Sequence, residues 1–100
     1  MNGQNPQQQQ QIQIKIPDEV LKGFHANMMA VAHSKEEFVL DYINVYPWQK
    51  SGIVGARIIL TPGHLKRIIS ALAENLKKYE KQFGKIEEAK APSEEIGFKT

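Results

Sequence analysis

The chain has 100 residues, no cysteine, and 13 basic against 11 acidic side chains. This length allows one small domain, and the missing cysteine excludes a disulfide framework and a thiolate metal site. The balanced charge gives no electrostatic case for a polyanion partner. The N-terminus has no charged start followed by an apolar run, and no apolar stretch approaches the ~20 residues that span a bilayer. We therefore expect a cytoplasmic protein without a membrane partner.

The N-terminal part begins with a polar, low-complexity segment. Residues 1–11 are rich in Gln and Asn, and we expect a disordered leader there. In residues 11–16, isoleucine alternates with Gln and Lys, which predicts a first strand that Pro17 ends. Residues 18–22 predict a turn or a single helical turn.

Three further strands are predicted along the chain. Residues 23–33 fit a strand or a helix, and we favour a strand because their apolar residues define no single helical stripe. After a polar break, β-branched and aromatic content predicts strands over 38–46 and 53–60, separated by a Pro- and Gly-containing loop. Short connections favour antiparallel neighbours.

One long helix is predicted after the strands. Thr61 can cap it, Pro62 suits its first position, and Gly84 can end it in a left-handed conformation. Its apolar residues recur at steps of four and three, which predicts a seam that lies along another surface, and a second copy of the helix in another subunit is the surface we favour. We expect this oligomer interface to comprise Leu65, Ile69, Leu72, Leu76, Tyr79 and Phe83.

The predicted fold is α+β, with a four-stranded antiparallel β-meander followed by one long C-terminal α-helix. A single domain spans residues 12–84, and 85–100 form a flexible charged tail. One helix covers only one sheet face, yet the third strand is apolar on both. The second face is therefore a subunit interface or a ligand surface, unless sheet twist and flanking segments cover it.

No residue pattern indicates catalysis. His25 and His33 share a strand face but lie about 26 Å apart, too far to share a metal. No serine stands in a recognisable nucleophile arrangement, and no glycine-rich turn resembles a phosphate loop. We expect no enzyme, no cofactor and no metal.

Asp41 and Arg57 are the charged residues inside the last two predicted strands. Around a connection from residue 46 to 52 they come opposite each other, on the face that carries Val39, Ile43, Ile53 and Ile59. We expect a cross-strand ion pair that fixes register. The alternative leaves Arg57 free to bind a phosphate or a carboxylate.

Other binding candidates are aromatic or basic. Tyr46 ends an alternating aromatic row, and Trp48 follows it, so the two are candidates for stacking bases or seating apolar peptide side chains; the alternative is a role in the core. Lys66 and Arg67 lie on the mildly basic side of the helix and are candidates for nucleic-acid contact; the alternative is a solvated face.

Several short motifs carry a resemblance to a known family. They are His33-Ser34, then residues 37–41 and 57–62, and a helix ending Lys78-Tyr79-Glu80. Residues 13–80 thereby resemble short prokaryotic proteins catalogued as domain of unknown function 3467, a resemblance that implies no activity. By element order alone, the chain is also similar to the SecB export chaperone and to single-stranded nucleic-acid-binding folds of the Whirly and Pur-alpha type.

These patterns predict a non-enzymatic, homo-oligomeric module, a homodimer or larger, that binds protein segments through apolar sheet and helix surfaces. We prefer protein segments because the surplus surface is apolar rather than basic. The alternatives are a single-stranded nucleic-acid-binding protein and a structural subunit of a larger complex.

Overall fold

The computed structural model describes residues 11–92. The predicted leader, apart from residue 11, and residues 93–100 of the predicted tail lie outside the described residues. The fold is α+β, as predicted, with a three-stranded antiparallel sheet of order β1-β2-β3 and one long C-terminal helix. Its elements are helix α1 (Asp18–Leu21), strands β1 (Met28–His33), β2 (Phe38–Tyr46) and β3 (Ser51–Leu60), a 3₁₀ turn (Pro47–Gln49) and helix α2 (Pro62–Phe83).

The prediction of a fourth strand is wrong. Residues 11–17 form no strand, and Ile12 and Ile14 are 87% and 89% exposed. Alternation gives a segment an apolar face, but a strand also needs an edge that accepts its backbone hydrogen bonds. Within the described chain no such pairing is made.

The other strands lie close to their predicted positions. The 23–33 segment is a strand only over Met28–His33, whereas β2 coincides with its prediction. β3 begins two residues earlier than predicted, because the loop is only a 3₁₀ turn followed by Lys50. Lys50 adopts a left-handed conformation with φ 52°, which reverses the chain so that Tyr46 pairs with Ser51.

A bulge at Gly55 divides β3. Asp41 pairs with Arg57 as predicted, and Tyr42 pairs with Ala56, but Ile43 pairs with Val54. Gly55 is therefore the extra residue, and beyond it the side chains of β3 change faces relative to a regular strand. This corrects the expected position of Ile53, which pairs with Asn44 and lies on the face opposite Asp41 and Arg57.

Helix α2 begins and ends at the predicted residues, but the predicted left-handed conformation of Gly84 is wrong. The Thr61 hydroxyl accepts a hydrogen bond from the backbone N–H of His64 at 3.3 Å, and Pro62 occupies the first helical position. Gly84 ends the helix with φ 103° and ψ 169°, and its N–H donates to the Glu80 carbonyl. Its positive φ fits glycine, although its ψ lies outside the left-handed helical well.

The expectation that α2 covers one face of the sheet is wrong. In the described part of the chain, extensive backbone contacts join β2 to β1 and β3, and α2 has none of comparable extent with a strand. The apolar side chains of α2 from Ile69 to Phe83 that would face the sheet are 47% to 65% exposed. A single residue, Thr61, links β3 to α2, which leaves no length of chain to fold the helix back over the sheet. Among the described residues, the buried apolar side chains are consequently Leu40, Val45 and Leu60.

The segment before β1 crosses the sheet and packs against β3. The Phe24 ring lies where a Cβ atom on Gly55 would stand. Asn27 fixes the start of β1, because its side chain donates to the Val45 carbonyl at 2.9 Å and accepts from the Val45 N–H at 2.8 Å. Glycine at position 55 thus serves both the bulge and the seat of Phe24.

We predict that Gly55→Ala lowers the free energy of unfolding by about 1 kcal/mol, because the new methyl group displaces the Phe24 ring. Urea titration at a fixed chain concentration measures the change. Gly63→Ala is the matched control: its Cβ meets open space inside a helix, so stability rises by up to ~1 kcal/mol. In a Phe24→Ala background, Gly55→Ala costs much less; an unchanged cost there contradicts the assignment.

Candidate interaction surfaces

The six apolar residues predicted for the oligomer interface form a continuous stripe on α2, the helix seam. Leu65 is half-buried, whereas the other five are between 47% and 65% exposed. At the C-terminal end of the helix seam, the Tyr79 and Phe83 rings pack with centroids 4.9 Å apart. With 22 residues, α2 is about 33 Å long, so the helix seam presents a long apolar surface to solvent.

One face of the sheet carries no Lys, Arg, Asp or Glu on its strands and is mostly apolar; we call it the aromatic face. Partner residues on antiparallel strands share a face, so the observed pairing assigns its members directly. Asp41 and Arg57 lie on the opposite face, the ion-pair face. The aromatic face comprises Phe38, Leu40, Tyr42, Asn44 and Tyr46 of β2, Met29, Val31 and His33 of β1, and Ser51, Ile53, Ala56, Ile58 and Leu60 of β3.

Tyr46 and Trp48 meet at the end of the aromatic face. Their ring centroids lie 5.7 Å apart in an edge-to-face arrangement, and the Asn44 amide donates to the Tyr46 hydroxyl at 3.3 Å. Trp48 remains largely exposed. This arrangement holds an accessible indole at the border of an apolar surface.

Asp41 and Arg57 form a two-pronged ion pair on the ion-pair face. Arg57 Nε donates to Asp41 Oδ1 at 2.7 Å, and Nη2 donates to Oδ2 at 2.8 Å. The hydrogen bonds from Arg57 lower the pKa of the Asp41 carboxyl, and Asp41 in turn raises the pKa of Arg57. Arg57 is therefore engaged with Asp41, in agreement with the predicted cross-strand pair.

The predicted ligand candidates do not form one cluster. Tyr46 is on the aromatic face, and Arg57 is on the opposite face. Lys66 and Arg67 are exposed on the first turns of α2, where Arg67 Nη2 lies 2.9 Å from Nδ1 of His64. The sequence therefore identified separate surfaces rather than a single binding site.

An open cleft that no sequence pattern predicted lies between the N-terminal segment and β3. It has a volume of about 350 Å³ and is lined by Glu19, Val20, Gly23, Phe24, Gly55 and Ala56. The signal was an isolated glycine inside a strand rich in Ile and Val, which is typical of a bulge or of a close approach. The packing partner, Phe24, had no such signal.

Two kinds of functional feature are absent from residues 11–92. No group of three or more His, Asp or Glu side chains there is arranged to hold a metal ion. No helix there is both long and apolar enough to cross a membrane.

Comparison with known proteins gives one match. A family model described as protein of unknown function (DUF3467) matches residues 1–88. The match extends beyond the resemblance over residues 13–80 and includes the Gln-rich leader. No curated protein and no solved structure matches the chain, so nothing supports the similarity in element order to SecB or to the nucleic-acid-binding folds.

We predict that the Asp41–Arg57 pair makes stability depend on acid pH. Because the folded pKa of Asp41 lies below its ordinary value of 3.8, the pair stabilises the fold above that value, and the contribution disappears as pH falls through the folded pKa. Thermal unfolding midpoints measured between pH 6 and pH 2 should fall less steeply for Asp41→Asn than for the parent. Glu74→Gln, on the outer side of α2, is the control; equal slopes for all three proteins contradict the prediction.

Proposed function

This chain belongs to the family DUF3467, and because that membership assigns no activity, we propose a function from its surfaces: a non-enzymatic, homo-oligomeric module that binds protein segments. The helix seam is the self-association surface, and the aromatic face receives the segment. The observation that carries the proposal is that large apolar side chains of both surfaces remain 42% to 65% exposed in the described chain: Met29, Val31, Ile53 and Ile58 on the aromatic face, and Ile69, Leu72, Leu76, Tyr79 and Phe83 on the helix seam.

Self-association is supported by the small amount of apolar burial in one copy. Exposed apolar side chains along α2 contrast with three buried ones in the whole described region. Monomeric soluble proteins rarely expose contiguous apolar surface of this kind. A second copy supplies a matching surface without any further partner, because identical chains present identical seams.

The aromatic face supports an apolar ligand rather than a nucleic acid. Its strand positions carry no Lys, Arg, Asp or Glu, and Arg57, the strand residue that could attract a phosphate, lies on the other face in a pair with Asp41. Binding of a polyanion rests on cationic side chains near its phosphates. Extended protein segments instead offer alternating apolar side chains that fit a pleated surface.

The open sheet edges add a backbone component to this binding. Within the described residues β1 and β3 each pair only with β2, so each leaves one edge of backbone donors and acceptors unpaired. An extended segment that lies along an edge can pair with those groups while its side chains reach the aromatic face.

We predict that Leu72→Lys shifts the protein toward the monomer mass, because it places a charge in the middle of the helix seam. Sedimentation equilibrium over a range of concentrations measures the shift. Ser70→Lys is the matched control: it adds the same side chain roughly 160° around the helix and leaves the mass at the parent value. A parent that sediments as a monomer at all concentrations contradicts self-association.

We predict that Val31→Lys weakens binding of a chemically unfolded, carboxymethylated polypeptide by about tenfold, through the cost of burying a charge in an apolar contact. Ile59→Lys is the control, since Ile59 is 59% exposed on the ion-pair face against 56% for Val31 on the aromatic face. Fluorescence anisotropy at several salt concentrations should show a nearly constant affinity. Tight binding of oligo-dT that falls steeply with salt supports the nucleic-acid alternative instead.

A further inference from the structure

The helix seam also specifies how two copies meet. We infer that two α2 helices pair in an antiparallel coiled coil, with Leu72 of each copy against Leu76 of the other. The inference rests on the self-association proposed above and adds its orientation and register. It follows from the position of each seam residue and of the polar residues beside the seam.

The seam spacing assigns a heptad position to each residue. With positions lettered a to g, Ile69, Leu76 and Phe83 take position a, and Leu65, Leu72 and Tyr79 take position d. The assignment leaves Lys66, Ala73 and Glu80 at position e, and Ile68, Asn75 and Gln82 at position g. Positions e and g border the seam and face the partner helix.

Antiparallel pairing balances the volume of the core layers. In the proposed register, Leu65 meets Phe83 of the partner subunit, Ile69 meets the partner's Tyr79, and Leu72 meets the partner's Leu76. Each aromatic side chain therefore packs on an aliphatic one, and the two rings already in contact stay adjacent along the helix. A parallel pair would instead place tyrosine on tyrosine and phenylalanine on phenylalanine at one end, which gives layers of unequal width.

The bordering charges favour the same orientation. In an antiparallel pair, position e of one helix faces position e of the other, so Lys66 meets Glu80 of the partner subunit twice by symmetry. Ala73 meets the partner's Ala73 at the centre, where small side chains allow close approach. In a parallel pair, position e faces position g, which carries only Ile68, Asn75 and Gln82, so neither charge finds an opposite one.

The local contacts of these residues are compatible with this pairing. One carboxylate oxygen of Glu80, Oε2, accepts the Ile86 N–H at 2.9 Å, and the second oxygen remains for Lys66 of the partner subunit. The Asn75 amide donates to the Ala71 carbonyl at 3.1 Å, so it needs no partner across the seam. Antiparallel alignment also brings opposite ends of the two helix dipoles together.

Cysteine cross-linking tests the orientation directly, since the natural chain has no cysteine. In the proposed register, Leu65→Cys alone forms no disulfide, because the two introduced thiols lie about 27 Å apart along the pair. Phe83→Cys alone likewise forms none. An equimolar mixture of the two full-length variants forms the cross-linked dimer under mild oxidation.

A charge exchange provides a second test that leaves the apolar seam intact. Lys66→Glu and Glu80→Lys each place like charges across the seam and weaken the dimer about fivefold to tenfold, and the double variant regains the parent affinity. The matched control exchanges Glu74 and Lys77, which lie away from the seam, and leaves the affinity unchanged.

The outcomes separate the orientation from self-association itself. A dimer in which Leu65→Cys alone cross-links overturns the antiparallel pairing and leaves the proposed function standing. A double variant that stays as weak as the single ones overturns the register. A chain that is monomeric throughout overturns both the orientation and the proposed self-association.

Discussion

Backbone hydrogen bonds between three strands are the main cohesive interaction within one copy of this chain. Burial adds little, since Leu40, Val45 and Leu60 are the buried apolar side chains among the described residues. A three-stranded sheet is stable only when it buries apolar surface, for example by packing one face against a helix. In the proposed assembly, the surfaces that one copy leaves open supply the apolar burial that usually comes from a core.

The helix seam and the aromatic face are two separate exposed surfaces. The single-residue link at Thr61 directs α2 away from the strands, so its seam and the aromatic face remain separate surfaces. If the helix had folded back over the sheet, each would have covered the other. The separation is what allows one surface to serve self-association and the other to serve a ligand in the proposed function.

Local signals in the sequence predicted local structure well. The Thr61 cap, Pro62 and Gly84 defined α2 to the residue, because caps depend only on neighbours along the chain. The alternating isoleucines of residues 11–16 led to a wrong prediction of a strand. A strand forms only where a neighbouring strand, which can be distant in the sequence, pairs with its backbone, and no local pattern reports this. The pairing of Asp41 with Arg57 was predicted correctly because two departures from the predicted register cancel: Tyr46 pairs with Ser51 rather than with residue 52, and Gly55 then adds one residue to β3. Between the turn and the bulge the register differs by one residue from the prediction, which places Ile53 on the other face.

The same limit applies to the candidate surfaces. The helix seam could be predicted from the sequence because its period lies within one helix. The ion pair could be predicted because Asp41 and Arg57 are the charged residues of two otherwise apolar predicted strands. The cleft under Phe24 could not be predicted in this way, because it brings together Phe24 and Gly55, which are 31 positions apart in the chain. The direction of α2 was not predicted, because the period of the helix seam does not report which surface the seam meets, although the short link at Thr61 is visible in the sequence.

The Gly55 bulge has a consequence for how this sheet avoids fibre growth. Open, uncharged edges are templates on which further chains can stack without limit. The bulge breaks β3 into short regular runs on either side of Gly55, with Arg57 projecting from one of them. Edge-to-edge polymerisation requires a long flat register, and the kink interrupts it. In the proposed function, β3 thus accepts a short peptide along its edge while the bulge opposes amyloid-like extension.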